Sequence, residues 1–185
     1  MMSRTEEPAA SKGPAGRTVP FASAAAILAA LSSNAWADCA NPRQWQEHVN
    51  DRFGMRIEVP VDCFYAQPPA ENDDGRLFRA GDQVELGVYG AHNAMEQDPK
   101  SLRQWLLREI DGYDDLTYSP SGSNWLVMSG YRGDKIYYEK YIFSHGGAIL
   151  NSFWITFPAD DKPVFSPIIE RMEDSFRPGD GYQTP

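Results

Sequence analysis

The second half of the chain constrains the fold most, because three apolar and aromatic segments there are separated by short glycine-containing turns. The segments are residues 125–131, 135–143 and 148–157, and the turns are Arg132-Gly133-Asp134 and His145-Gly146-Gly147. Glycine turns of this length between β-rich segments are typical of β-hairpins. We therefore predict an antiparallel β meander from residue 115 onward.

Aromatic side chains occupy both faces of these predicted strands. In the segment 135–143, Tyr138 and Ile142 lie on one face, whereas Tyr137 and Tyr141 lie on the other. Alternate residues of a strand point to opposite faces of a sheet, so apolar side chains on both faces indicate a sheet that is covered on both sides.

Proline after a capping residue marks the start of two predicted helices. Asp98-Pro99 begins a helix that ends before Gly112, and Asn41-Pro42 begins a helix over residues 42–52. A third helix is predicted over residues 164–176 from a continuous apolar stripe. Extended segments are predicted at residues 55–65, 76–79 and 83–89.

These elements predict an α+β fold in which helices pack on both faces of an antiparallel β-sheet, forming an α/β/α sandwich. The predicted core covers residues 42–177 of a single α+β domain, residues 38–185. Neither an internal repeat nor a second domain is predicted.

Several segments of this chain resemble the PsbP-like superfamily. They are Gly54-Met-Arg-Ile-Glu-Val-Pro60, Gly130-Tyr-Arg-Gly-Asp-Lys-Ile-Tyr-Tyr-Glu139, Ile155-Thr-Phe-Pro158 and Asp174-Ser-Phe-Arg177. The superfamily contains the extrinsic P subunit of photosystem II, a Ran-GTPase-binding protein and bacterial exported members. The resemblance covers residues 54–177 and implies an α/β/α sandwich that works by binding other proteins. It carries over no functional residue, because those of the named members are not recognisable in this sequence.

Residues 1–37 are predicted to be a secretory signal peptide. Three basic residues precede an apolar run of 11 residues, Phe21–Leu31, and Ala35-Trp36-Ala37 has the small-residue pattern that signal peptidase accepts. Cleavage between Ala37 and Asp38 would deliver the domain to the periplasm or the medium, without a stable membrane span. The run is too short for a membrane anchor, which needs about 20 residues. A lipid on Cys39 is the other alternative, although Asp38 in front of it does not suit that processing.

The two cysteines, Cys39 and Cys63, both lie in the predicted exported part. An even number of cysteines in an oxidising compartment predicts a disulfide. A metal pair and a redox pair are the alternatives. Neither has support, because the sequence has no Cys-x-x-Cys motif and no nearby pair of histidines.

The acidic charge of the chain excludes one class of partner. The predicted leader holds three basic and two acidic residues, so its removal changes the net charge from −9 to −10. Such a surface repels nucleic acid and anionic lipid, since binding to them depends on neutralising phosphates. The expected partner is another envelope or secreted protein.

Motifs for common enzyme chemistry are missing from the sequence. We find no HExxH, GxSxG, GxGxxG or P-loop pattern, and we predict no cofactor, no metal and no catalytic residue. Acidic turns at residues 72–75 and 111–115 could hold Ca²⁺, but neither has EF-hand spacing, and solvated turns explain the acids equally well.

Four aromatic residues form the predicted candidate binding surface: Tyr131, Tyr137, Tyr141 and Trp154. Tyrosine and tryptophan are common interface residues, although helices could instead cover these rings as core. The favoured hypothesis is therefore an exported, non-enzymatic protein-binding domain. The alternatives are a binder of carbohydrate or another envelope component, and a small periplasmic enzyme that uses Asp134, Glu139 and His145.

Overall fold

The computed structural model describes residues 36–109 and 114–179, so the predicted signal peptide lies outside the described residues except for Trp36 and Ala37. The strands in these ranges are β1 (Trp45–Val49), β2 (Arg56–Pro60), β3 (Tyr65–Ala66), β4 (Gly75–Ala80), β5 (Val84–His92), β6 (Asp115–Tyr118), β7 (Trp125–Arg132), β8 (Lys135–Ser144) and β9 (Ile149–Pro158). The helices are α1 (Ala37–Ala40), α2 (Pro99–Glu109) and α3 (Lys162–Ser175). Part of the acidic turn 111–115, which was considered for Ca²⁺, also lies outside the described residues.

Strands β3 to β9 form one large antiparallel sheet in the order β3-β4-β5-β9-β8-β7-β6. Its centre is the β8–β9 hairpin, which pairs over its whole length from Lys135↔Pro158 to Ser144↔Ile149. Strands β1 and β2 form a separate hairpin. The α+β class and the meander predicted from residue 115 onward are confirmed.

Both edges of the large sheet are short. Strand β3 has two residues and is followed closely by Pro68-Pro69. Strand β6 has four residues and an irregular register between Leu116 and Tyr118. Short, proline-flanked or bulged edges make it harder for other chains to add a strand.

The helix predicted over residues 42–52 is wrong, because residues 45–49 are strand β1. This strand pairs with β2 from Trp45↔Pro60 to Val49↔Arg56. The Asp62 carboxylate accepts hydrogen bonds from the backbone N–H groups of Arg43 and Gln44, at 2.7 and 3.2 Å, and so holds the segment against the hairpin. Contacts distant in sequence outweigh the local helix signal of Asn41-Pro42.

The larger hydrophobic cluster lies on one face of the sheet, which we call the α3 face. It joins α3 and β2 to inward-facing residues of the central strands: Val84, Leu86, Val88, Ile136, Tyr138, Phe153, Ile155 and Phe157. On α3, Phe165, Ile168 and Met172 recur at helical spacing and are each at most 1% exposed.

A smaller cluster contains Leu102 and Leu106 of α2 together with Leu126, Met128 and Phe143 of β7 and β8. Trp105, also on α2, is partly buried and packs against it. Asp98 caps α2 by accepting hydrogen bonds from the Ser101 backbone N–H at 2.7 Å and the Ser101 hydroxyl at 2.9 Å. These bonds lower the pKa of Asp98 and confirm the helix start predicted at Asp98-Pro99.

The predicted disulfide between Cys39 and Cys63 is present. Both cysteines are 4% exposed and belong to the larger cluster, so the bond attaches α1 to the segment that follows β2. Within the part of the chain that the structure describes, no helix is long and apolar enough to cross a bilayer.

Candidate functional site

The four predicted binding residues do not share one surface. Tyr137, Tyr141 and Trp154 lie on the face opposite α3, because each is offset by one residue from the side chains of β8 and β9 that pack on α3. Tyr131 pairs with Ile136 on the α3 face and packs against the larger cluster. The structure therefore separates Tyr131 from the other three residues.

On the face opposite α3, two of these tyrosines surround a buried carboxylate. The Tyr141 hydroxyl donates to Glu139 Oε2 at 2.9 Å, and the Glu139 side chain is only 7% exposed. Arg132 lies 3.7 Å from Glu139 and stacks on the Tyr137 ring, with its guanidinium carbon 3.7 Å from the ring centroid. A buried carboxylate needs such partners, so these tyrosines have a structural role whatever else they contact.

Trp154 lies on the same face, with its indole ring over Gly87 of strand β5. A methyl group at Gly87 would overlap the indole ring, so glycine makes room for the ring on the sheet. Tyr89 covers Gly75 in the same way. Both rings are half-buried and lie over β4 and β5, and we call this pair the aromatic platform.

The residues considered for an enzyme are not brought together. Asp134 precedes strand β8, Glu139 lies within it and His145 follows it. A ten-residue strand places its ends about 30 Å apart, so these three side chains cannot meet in one site. Among the described residues no cluster of three potential metal ligands exists, and the histidines lie on β1, β5 and the turn after β8.

A groove on the α3 face was not predicted from the sequence. It runs between α3 and strands β7 and β8 as two adjoining cavities of about 320 and 180 Å³, which meet at Glu173. We call it the α3 groove. One cavity is lined by Asn124, Trp125, Lys140, Ile142, Glu173, Phe176, Arg177 and Pro178. The other is lined by Ser129, Ile136, Tyr138, Phe157, Lys162, Ser166, Ile169, Glu170 and Glu173.

Glu173 forms the polar centre of the α3 groove. Its Oε2 accepts a hydrogen bond from the Tyr138 hydroxyl at 2.6 Å, and its Oε1 accepts one from Lys140 Nζ at 2.9 Å. Apolar side chains line the groove on either side of this trio. A fixed polar group between apolar pockets is typical of sites that orient a ligand.

An exposed ring extends this surface toward the edge of the sheet. Tyr118 of β6 is 57% exposed and pairs with Ser129, which lines the groove. Its charge also contributes to raising the pKa of Tyr138, after burial and the contacts with Glu173. Tyr131 lies two residues from Ser129 on the same face of β7.

We expect Tyr138 to keep its proton in alkaline solution for as long as the protein stays folded. Burial and then the hydrogen bond to Glu173 raise the pKa of Tyr138. The unfolded chain releases this proton near pH 10 and the folded chain does not. The stability contributed by Tyr138 is therefore complete below about pH 10 and is lost as the pH rises further.

Tyrosinate absorbance measures this titration directly. The wild type and Tyr138→Phe should give the same absorbance curve until alkaline unfolding begins, because Tyr138 does not ionise in the folded state. One additional tyrosine ionising near pH 10 in the folded wild type would contradict the expectation.

Comparison with solved structures shows the PsbP/Mog1 fold, which confirms the resemblance at the level of the fold. Cyanobacterial PsbP (CyanoP) from Synechocystis sp. PCC 6803 matches with a TM-score of 0.53 and 10% identity, over 72% of this chain and 92% of that one. The Ran-binding protein Mog1p of Saccharomyces cerevisiae matches with a TM-score of 0.52 and 10% identity, over 72% and 95%. No family model and no curated protein sequence matches the chain.

Proposed function

We propose that this chain is exported, loses its signal peptide and acts as a non-enzymatic domain that binds another envelope or secreted protein. The basic and apolar leader, the disulfide Cys39–Cys63 and the acidic charge all support this function. One structural neighbour is itself described as a Ran-binding protein, which is consistent with a fold suited to protein contacts.

The arrangement of the helices on the two faces of the large sheet is part of the same proposal. Residues of α3 pack with Ile136 and Tyr138 of β8, whereas residues of α2 pack with Phe143 of that strand. Because odd and even positions of a strand point to opposite faces, we place α2 and α3 on opposite faces of the sheet, as an α/β/α sandwich.

The α3 groove is the observation that carries the proposed function. One flank of α3 is fastened to β2, where Arg171 pairs with Glu58 at 2.8 Å and the Ser175 hydroxyl accepts a bond from the Glu58 N–H. The other flank presents Lys162, Ser166 and Glu170 to the groove. On the side of α3 away from β2, the sheet continues through β8 and β7 to β6. Aromatic side chains of these strands border the open groove.

The spacing of the sheet suits a helical segment of the partner. Neighbouring strands lie about 4.8 Å apart and packed helices about 8–10 Å apart. A helix placed two strands from the axis of α3 would pack against both α3 and the floor of the groove. We therefore propose an amphipathic helix whose apolar stripe contacts Trp125 and Tyr118.

Alanine substitution in the groove tests the function. Trp125→Ala and Tyr118→Ala should each weaken the partner at least about tenfold, because each removes an aromatic contact residue. The partner is first captured by cross-linking a tagged, exported chain, then purified and titrated calorimetrically against each variant. Tyr65→Ala is the matched control, since Tyr65 is 65% exposed but pairs with Arg79 at the other edge of the sheet.

The pattern of losses distinguishes the surfaces. Loss of binding in Trp154→Ala, with normal binding in the groove variants, would place the contact on the face opposite α3. Failure to capture any stoichiometric partner, at every cross-linker length, would argue against the protein-binding function itself.

The aromatic platform supports a second candidate function, binding of a carbohydrate or another envelope component. The indole ring of Trp154 lies over Gly87 and is half-buried, and a partly exposed aromatic ring can stack on a sugar. Fragments of envelope glycan should then change the tryptophan fluorescence of the wild type and leave that of Trp154→Phe unchanged. Equal responses of both proteins, or none, would argue against this alternative.

A further inference from the structure

Trp36 is an integral part of the folded domain. Its indole Nε1 donates a hydrogen bond to Asp161 Oδ2 at 2.9 Å. Its ring meets Phe165 edge-on, with centroids 5.6 Å apart, and packs beside Gly81. A buried tryptophan is stable when its ring packs on apolar side chains and its N–H has a hydrogen-bond partner, and Trp36 has both.

The bond between Ala37 and Asp38 lies inside the same structural unit. The first turn of α1 is closed by a hydrogen bond from the Ala40 N–H to the Trp36 carbonyl oxygen, at 2.7 Å. Cys39, one residue beyond this bond, is fixed by its disulfide to Cys63. Cleavage after Ala37 would therefore remove Trp36, which packs against α3. It would also remove Ala37, the first residue of α1, and the hydrogen bond that closes the turn.

The sequence offers a second site two residues earlier. Ser33-Asn34-Ala35 also has small residues one and three positions before a bond, as signal peptidase requires. We propose that the peptidase hydrolyses the bond between Ala35 and Trp36, so that Trp36 is the first residue of the mature domain. Water adds across the amide, leaving a carboxylate on Ala35 and an amino group on Trp36. This inference rests on the export proposed above.

Intact-mass analysis and N-terminal sequencing of the full chain, recovered from the envelope fraction of an exporting cell, test this site. We expect the sequence to begin Trp36-Ala37-Asp38. A product that begins at Asp38 would overturn the inference and leave export standing. A product that begins at Met1 or Met2 would overturn both the inference and the proposed export.

Two matched substitutions separate the two cleavage sites. Ser33→Gln places a large residue three positions before the bond proposed here, whereas Ala37→Gln places one directly before the alternative bond. We expect Ser33→Gln to reduce processing or move it, and Ala37→Gln to leave the product beginning at Trp36. The opposite result would assign cleavage to the bond after Ala37.

A stability comparison adds a readout that does not depend on the peptidase. Chains made to begin at Trp36 and at Asp38 are compared by urea unfolding, and the chain with Trp36 should unfold at the higher urea concentration. Equal midpoints would show that Trp36 does not stabilise the domain and would remove the structural basis of the inference.

Discussion

Replacing Phe165 by alanine should lower the free energy of unfolding by about 3–5 kcal/mol, the usual effect of removing a fully buried aromatic ring. Phe165 is 0% exposed. Its ring contacts those of Trp36, Phe64 and Phe157, with centroids 5.6, 6.4 and 5.0 Å apart. The cavity left by the ring would lie where α1, the segment after β2 and the sheet all meet α3.

Urea unfolding followed by tryptophan fluorescence measures this effect. Leu107→Ala is the control, because Leu107 lies on α2 and is 47% exposed, so its removal should change stability by no more than about 0.5 kcal/mol. A loss below about 1 kcal/mol in Phe165→Ala would mean that the surrounding side chains collapse into the space.

Removing the disulfide should be nearly as costly. The double variant Cys39→Ser, Cys63→Ser should lose on the order of 3 kcal/mol, because the bond closes a loop between cysteines 24 positions apart. The loop contains β1 and β2, so its freedom in the unfolded chain increases when the bond is absent.

Reduction provides an independent check on the same bond. A thiol reductant should shift the urea midpoint of the wild type toward that of the double variant and leave the variant unchanged. If both thiols of the untreated wild type react with a maleimide under denaturing, non-reducing conditions, the bond is absent and the expected loss has no basis.

Local periodicity was sufficient to predict the elements whose sequence signals agree with their tertiary contacts. The cap at Asp98 and the apolar spacing of Phe165, Ile168 and Met172 identify α2 and α3 without knowledge of the rest of the fold. Residues 45–49 could not be assigned in this way. Their pairing with β2 and the bonds to Asp62 come from later in the chain and decide the conformation.

The grouping of the candidate binding residues depended on the length of one turn. A three-residue turn, Arg132 to Asp134, would pair Tyr131 with Lys135. Tyr131 would then lie on the same face of the sheet as Tyr137. In the structure Arg132 pairs with Lys135, so only Gly133 and Asp134 form the turn, and Tyr131 faces Ile136. A change of one residue in register exchanges the two faces of a strand.

The α3 groove could not be predicted because it depends on the strand order. Its floor comes from β7 and β8, and its wall comes from a helix that follows β9. The polar residues Lys162, Ser166, Glu170 and Glu173 recur along one side of α3 at helical spacing. In the sequence that stripe has the same pattern as an ordinary solvated helix face.

The short edges of the large sheet limit how a partner of the proposed kind could bind. A chain that adds a strand to a sheet binds largely through main-chain groups, which every sequence possesses. With two residues in β3 and an irregular β6, this sheet gives such a partner little backbone to pair with. Under the proposed function, recognition by this sheet therefore depends on side chains, so substitutions of exposed side chains can change binding without altering the fold.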